Sequence, residues 1–163
     1  MSVPEWEVRL PELADRDRFR ELFADECFMQ FSNGRLYGDE ADKQFAKMLV
    51  LAAELPFAEQ SVIETDSGRI VGCVGASRFN YGDPPRPELE FNYRLICEAR
   101  GKGYATEASR AVLEVWKETV GGVMYARIDR RNDDSKEVAD RLKFKFLEHR
   151  DLFEIYQLEV PRR

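Results

Sequence analysis

Apolar residues recur along the chain at two spacings, and each spacing indicates one kind of secondary structure. Four segments carry apolar residues at steps of three and four, which is typical of helices that bury one face. These segments are residues 15–31, about 39–55, about 103–119 and 135–142. The first helix can break near Asp25. The second ends before Pro56, because the residue that precedes a proline disfavours helical geometry.

Seven further segments alternate apolar and polar residues, or cluster apolar ones, in the manner of strands. They are residues 6–10, 58–64, 69–79, 88–96, 123–129, 144–149 and 152–160. A turn at 65–68 and the short gap before the last strand each predict a hairpin, and residues 80–87, rich in glycine and proline, predict a loop. This order predicts an α/β (α+β) fold, with a mixed sheet of about seven strands and about four helices in a single domain over residues 1–163.

Composition limits the classes of function. The 163 residues carry a net charge of −6, which argues against nucleic-acid binding because that binding needs clustered positive charge. The longest apolar run, residues 48–53, is too short to cross a membrane, and the start of the chain lacks a secretory pattern, so we expect a cytoplasmic protein. The odd set Cys27, Cys73 and Cys97 is interpreted as reduced thiols. A single histidine, His149, argues against a histidine triad, and no metal is expected.

The most informative stretch begins at Arg100, where a strand gives way to a glycine-rich loop and then to a helix. A helix start offers unpaired backbone N–H groups and the positive end of the helix dipole, so it favours an anion. Gly101 and Gly103 remove side chains where a diphosphate must approach the backbone. The spacing is neither that of a nucleoside-triphosphate P-loop nor that of a dinucleotide loop. A turn that only joins strand and helix is the remaining alternative.

Several patterns resemble the GNAT superfamily of N-acetyltransferases. Arg100-x-x-Gly103-x-Ala105 resembles the superfamily's pyrophosphate motif. Three longer segments resemble one branch, the acetyltransferases that modify ribosomal-protein N-termini at serine or alanine: residues 90–95, 101–108 and 132–144. The resemblance covers most of the chain. It implies a mostly antiparallel GNAT-type sheet and the transfer of an acetyl group from acetyl-CoA, the acyl-donor cosubstrate, to a primary amine.

The resemblance also implies which residues hold the coenzyme. The candidates are Tyr93, Arg94, Leu95, Arg100, Gly101, Lys102, Gly103, Tyr104, Ala105, Thr106 and Asn132. The chain departs from the family where Asn92 and Lys143 replace usual glycines, and where Ala139 replaces a tyrosine that acts as general acid in many members. Because the turn at 143 commonly needs left-handed geometry, a lysine there costs roughly 1 kcal/mol unless the turn differs.

Acetyl transfer to an amine needs a base for the amine proton, donors for the developing oxyanion and a proton for the departing thiolate. We predict Glu90 as the catalytic base, with Glu88 as the second choice; an exposed strand carboxylate is the alternative interpretation of Glu90. Ser135 is the catalytic candidate for the thiolate, although its place at a helix start also predicts an N-cap.

The acceptor side is inferred from the family, in which the amine enters between the early helices and the last hairpin. The candidate substrate-binding residues are Tyr37, Asn80, Tyr81 and Tyr156, whereas Phe28 and Phe31 are interpreted mainly as core. The expected acceptor is a protein N-terminus or a small amine, and the expected assembly is a monomer or homodimer. Two other interpretations stay open: a non-catalytic acyl-CoA-binding sensor or scaffold, and an interaction protein that keeps the fold without a ligand.

Overall fold

The computed structural model describes residues 5–82 and 85–163. The helices are α1 (Arg16–Ala24), α2 (Gly38–Glu54), α3 (Tyr104–Thr119) and α4 (Asp133–Arg141), with short 3₁₀ helices at Leu13–Asp15 and Cys97–Ala99. The strands are β1 (Trp6–Arg9), β2 (Gln60–Glu64), β3 (Arg69–Tyr81), β4 (Arg86–Leu95), β5 (Gly122–Asp129), β6 (Lys145–Arg150) and β7 (Phe153–Val160). None of the helices in these ranges is long and apolar enough to cross a membrane.

The strands form one sheet in the order β1-β2-β3-β4-β5-β7-β6. Neighbouring strands are antiparallel except β4 and β5, which run parallel. The predicted fold class is therefore confirmed: a mixed, mostly antiparallel sheet of seven strands with four helices in the described part of the chain.

The helices cover opposite faces of the sheet. On β4, the Tyr93 hydroxyl donates a hydrogen bond to the Ser135 carbonyl in α4, whereas the next side chain, Arg94, reaches Met29 in the segment that follows α1. Because successive side chains of a strand point to opposite faces, α4 and the α1 side lie on different faces. On the first face α3 contacts β1, β3 and β4. On the second, α1 and α2 pack through the stacked rings of Phe19 and Phe45, whose centroids are 5.2 Å apart.

The first helix is shorter than its apolar pattern predicts. It ends at Ala24, and residues 26–33 form successive turns instead of helix. Asp25 explains the break, because its carboxylate accepts a 2.7 Å hydrogen bond from the Phe28 amide, a local bond that competes with helix continuation. The prediction of a helix to residue 31 was therefore wrong beyond Asp25, the point at which a break was foreseen.

The hairpin of β3 and β4 is longer than the sequence predicts. Pairing continues from Arg78 with Leu89 to Tyr81 with Arg86, so half of the expected loop at 80–87 belongs to the strands. Residues 83 and 84 of that loop lie outside the described residues.

Two cysteines predicted to be reduced are joined in the structure. Cys27 and Cys97 form a disulfide across 70 residues of sequence, with their Cα atoms 6.0 Å apart, and Cys73 is buried and free. The bond ties the turns after α1 to the 3₁₀ helix that leads into the glycine loop. The expectation of three reduced thiols was wrong because nothing local in the sequence brings these two positions together.

Two local features bear on stability. The carboxylate of Asp15, 7% exposed, accepts two hydrogen bonds from Arg9 at 2.7 and 2.8 Å, and this pairing lowers the pKa of Asp15. Lys143 follows α4 with a φ of 73°, so the left-handed geometry expected for this turn is confirmed and a lysine adopts it.

Candidate active site

A gap opens in the sheet between β4 and β5. In the described residues the two strands pair only at Glu90 and Tyr125, and they separate beyond that point. The backbone edge of β4 that follows Glu90 is therefore free of a strand partner. The gap forms part of a cavity of about 1780 Å³. Because sites for single small ligands are typically about 300–1,000 Å³, this cavity has room for a large cofactor and a second substrate.

One end of the cavity is formed by the glycine loop. Gly101 and Gly103 both have left-handed backbone, with φ of +79° and +83°, and a Cβ added at either would meet no atom within 4 Å. Gly103 is also the N-cap of α3, so the unpaired backbone amides of the first turn of α3 lie at this end of the cavity. Glycine is therefore needed here for its backbone conformation, and the open space beside it fits a diphosphate that approaches the helix start.

Most of the predicted coenzyme residues line this cavity. They are Tyr93, Arg94, Leu95, Arg100, Gly101, Gly103, Tyr104, Ala105, Thr106 and Asn132. Lys102 is the exception. Its ammonium group lies 3.1 Å from a carboxylate oxygen of Glu64 and is not part of the cavity wall. The side chain of Lys102 thus serves a surface ion pair, and only its backbone remains a candidate for the loop.

The start of α4 forms another part of the cavity wall. Asn132, not Ser135, is the N-cap: its side-chain oxygen accepts a 3.1 Å hydrogen bond from the Ser135 amide. The predicted capping role of Ser135 was therefore wrong, and its hydroxyl is not needed for a cap. Tyr93 donates its hydroxyl at 2.6 Å to the Ser135 carbonyl, and burial raises the pKa of this phenol. Tyr93 thus fixes α4 against β4 in a neutral form.

Glu90 is buried in the cavity wall rather than exposed. One carboxylate oxygen accepts hydrogen bonds from the Tyr81 hydroxyl at 2.6 Å and the Arg127 Nε at 3.1 Å, and the other accepts from the Arg127 Nη2 at 3.3 Å. The Arg127 guanidinium lies 3.8 Å from the ring centroid of Phe79 and 5.0 Å from that of Phe153. The alternative of a solvent-exposed strand carboxylate is excluded for Glu90, which is 4% exposed.

The predicted acceptor residues do not line the cavity. None of Tyr37, Asn80, Tyr81 and Tyr156 belongs to its wall. Tyr81 is buried against Glu90, and Tyr156 donates its hydroxyl to Glu154. The wall contains other aromatic side chains instead: Phe28, Phe31, Phe79 and Phe153. The turns after α1 bring Phe28 and Phe31 to the cavity, although the sequence pattern predicts both mainly as core residues of a helix.

A second buried carboxylate in the cavity wall, that of Glu59, is not identified as a site residue by the sequence analysis. It is 6% exposed and lies just before β2, where the sequence pattern indicates an ordinary strand residue. Burial raises the pKa of Glu59, and the nearby charge of Arg94 opposes that rise. No local motif marks this residue, because its partners come from β3 and β4.

Comparisons with known proteins agree with this geometry. The family model described as "Acetyltransferase (GNAT) domain" matches residues 7–145. The fold is similar to that of an acetyltransferase from Agrobacterium tumefaciens, with a TM-score of 0.78, 18% identity and coverage of 98% of this chain and 96% of that one. It is similar to a ribosomal-protein-S5-alanine acetyltransferase from Vibrio fischeri, with a TM-score of 0.76, 17% identity and coverage of 98% and 95%.

A third similar structure is a spermidine N-acetyltransferase from Vibrio cholerae in complex with CoA and spermine. It has a TM-score of 0.71, 15% identity and coverage of 94% of this chain and 93% of that one. The chain matches no curated protein sequence. The family match, spanning most of the chain, and the cavity that joins a glycine loop to a split sheet lead to one conclusion: this protein belongs to the GNAT family of acetyl-CoA-dependent N-acetyltransferases.

Proposed function

We propose that the chain acetylates the α-amine of a polypeptide N-terminus. The observation that carries this proposal is one continuous cavity, whose wall includes the glycine loop, the free edge of β4 and a chamber lined by Glu59, Glu90 and Phe79. Acetyl-CoA supplies an activated thioester carbonyl when it is bound. The resemblance to N-terminal acetyltransferases and the charge of the chamber favour a polypeptide over a small polyamine.

The charges of the chamber are balanced. Glu54 lies 2.8 Å from Arg78, Glu90 lies 3.1 Å from Arg127, and Glu59 lies 3.9 Å from Arg94, measured between the closest charged atoms. A polyamine carries several positive charges and gains affinity from an excess of carboxylates. A peptide N-terminus carries one amine, whose pKa is about 7.7–8.0, well below that of a lysine amine. Such an amine loses its proton easily, and this chamber presents no excess of negative charge to retain a polycation.

The residues at the two ends of the cavity have separate tasks. The backbone amides of Gly101, Gly103 and the first turn of α3 hold the diphosphate, and the free edge of β4 at residues 93–95 lies along the acyl arm. The hydroxyl of Ser135 is proposed to serve the departing thiolate. Glu90 is the base that the sequence predicts, and its two donors, Tyr81 and Arg127, hold its carboxylate in one orientation.

An acceptor panel tests the function. We expect thiol release from acetyl-CoA, with a mass increase of one acetyl group, for a peptide with a free N-terminus. The same peptide with a blocked N-terminus and an internal lysine is the matched control, and spermidine represents the polyamines. Acetylation of spermidine in preference to every peptide would contradict the acceptor class. Binding of acetyl-CoA without transfer to any amine would instead support the non-catalytic acyl-CoA-binding module.

A further inference from the structure

Glu59 is placed beside the reaction chamber by a close approach of two backbone segments. The residues before β2 cross over Gly75 of β3, and a Cβ added at Gly75 would overlap the Ala58 carbonyl and lie 2.5 Å from the Glu59 Cα. The Glu59 amide donates a 3.2 Å hydrogen bond to the Ala76 carbonyl, which fixes the crossing. Gly75 pairs with Asn92 on β4, so Glu59 stands beside the part of β4 that has already separated from β5.

The immediate partners of Glu59 leave its carboxylate weakly held. The Cys73 thiol donates a long hydrogen bond of 3.5 Å to one oxygen of Glu59. The Arg94 Nη2 lies 3.9 Å from the same oxygen. Arg94 also contacts Met29 and the Ser32 hydroxyl, so much of its hydrogen-bonding capacity is directed elsewhere. Glu90, by contrast, accepts three hydrogen bonds of 3.3 Å or less. Of these two buried carboxylates, Glu59 has the greater capacity left to accept a proton.

We propose that Glu59, and not Glu90, is the catalytic base that accepts the proton of the acceptor amine, directly or through one water. This inference rests on the proposed function. The new bond joins the amine nitrogen to the acetyl carbon, and the bond from that carbon to sulfur breaks with its electron pair on sulfur. The nitrogen proton passes to the Glu59 carboxylate and then to solvent. The sulfur leaves as a thiolate and takes a proton from water or from the Ser135 hydroxyl, which water then reprotonates.

The electrostatics of the site suit this role. Burial raises the pKa of Glu59, the negative charge of Glu90 raises it further, and Arg94 lowers it, while the Cys73 thiol has a pKa raised by burial to about 12 and stays neutral. A base is most effective when its pKa lies near the operating pH. Glu90 becomes a positioning residue: it holds Arg127, whose guanidinium packs against the rings of Phe79 and Phe153.

The test compares three variants with the best acceptor from the panel. Glu59→Gln should lower kcat by about 10²–10⁴-fold at neutral pH. It should also remove the Glu59 limb from the acidic side of the kcat/KM profile and leave only the protonation of the acceptor amine. Acetyl-CoA affinity, measured by calorimetry, should change by less than about threefold. Glu90→Gln should keep an acidic limb, displaced to lower pH because a negative charge that raises the Glu59 pKa is lost. Asp15→Asn is the matched control: it alters a buried carboxylate beside an arginine outside the cavity, and should leave the profile unchanged.

Each other outcome overturns the assignment. Full kcat with an intact acidic limb in Glu59→Gln would remove Glu59 from the chemistry, and loss of the limb in Glu90→Gln alone would return the role to Glu90. A raised KM with unchanged kcat in Glu59→Gln would make Glu59 an ammonium-binding residue. If Glu59→Gln does not fold, Glu59→Asp should keep the limb and Arg94→Gln should move it to higher pH; an unmoved limb in Arg94→Gln would refute the proposal. A wild-type protein inactive on every amine would refute the proposed function itself.

Discussion

Replacing Gly103 with alanine separates coenzyme binding from folding. Gly103 has a φ of +83° and open space around its missing Cβ, so the added methyl group meets the ligand rather than the protein. The left-handed conformation costs a non-glycine residue roughly 1–2 kcal/mol, which is the expected loss of stability. The methyl group stands where the diphosphate must approach, and the loss of one backbone contact to a charged group costs about 1.5–3 kcal/mol. We therefore expect CoA to bind at least about tenfold more weakly.

Gly68 supplies a matched control for this experiment. It lies in the turn between β2 and β3 with a φ of +69°, and a Cβ there also meets no atom within 4 Å. Gly68→Ala should therefore lose about the same stability, roughly 1–2 kcal/mol in urea denaturation, and keep the calorimetric affinity for CoA. Equal affinities of Gly103→Ala and Gly68→Ala for CoA would refute the placement of the diphosphate at α3.

Three further changes test local features of the fold. Lys143→Gly should raise the free energy of unfolding by up to about 1 kcal/mol because it relieves the left-handed strain, whereas Lys145→Gly, in a strand, should lower it; equal effects would contradict the strain argument. Cys27→Ser should cost about 2–4 kcal/mol by opening the disulfide, and thiol titration of the denatured wild type without reductant should find one thiol rather than three. Asp15→Asn should cost about 1–2 kcal/mol at pH 7 in urea denaturation. Since the lowered pKa of Asp15 makes its stabilisation complete above the unfolded value of about 3.9, the difference from wild type should shrink as the pH falls below 4, and a constant difference would contradict the pairing.

The sequence predicts well those parts of the structure that depend only on residues close together in the chain. The loop at Gly101 and Gly103 and the following helix are continuous in sequence, and their positive φ angles follow from glycine at those two positions. The turn at Lys143 was foreseen for the same reason, because its geometry depends on the end of α4 alone. The order of helices and strands along the chain also follows from local apolar patterns and turn signals, whereas the order of the strands within the sheet does not.

The parts that sequence analysis missed depend on long-range register. Glu59 belongs to the cavity because Gly75 lets the chain cross β3, and that crossing joins residues with no shared motif. The pairing of Cys27 with Cys97 needs the turns after α1, which a helical apolar spacing concealed. Ser135 was predicted to cap α4, but Asn132 caps it, because the choice depends on where the helix begins, and sequence patterns fix that boundary only within one or two residues.

The polar residues on the α1 side of the sheet are hard to explain by stability alone. Glu59, Arg94, Glu90 and Arg127 are charged groups in or beside the cavity wall, and two of them, Glu59 and Glu90, are almost fully buried. Replacing a buried ion pair by apolar side chains is often neutral or stabilising by about 1–4 kcal/mol, so the fold does not require charges here. On the opposite face of β4, Phe91 and Leu95 are buried and apolar, so the same strand buries apolar side chains without need of charge. The charges lie where β4 leaves β5, which is where an amine and a thioester must meet, and this placement favours a role in proton transfer and acceptor positioning over a role in folding.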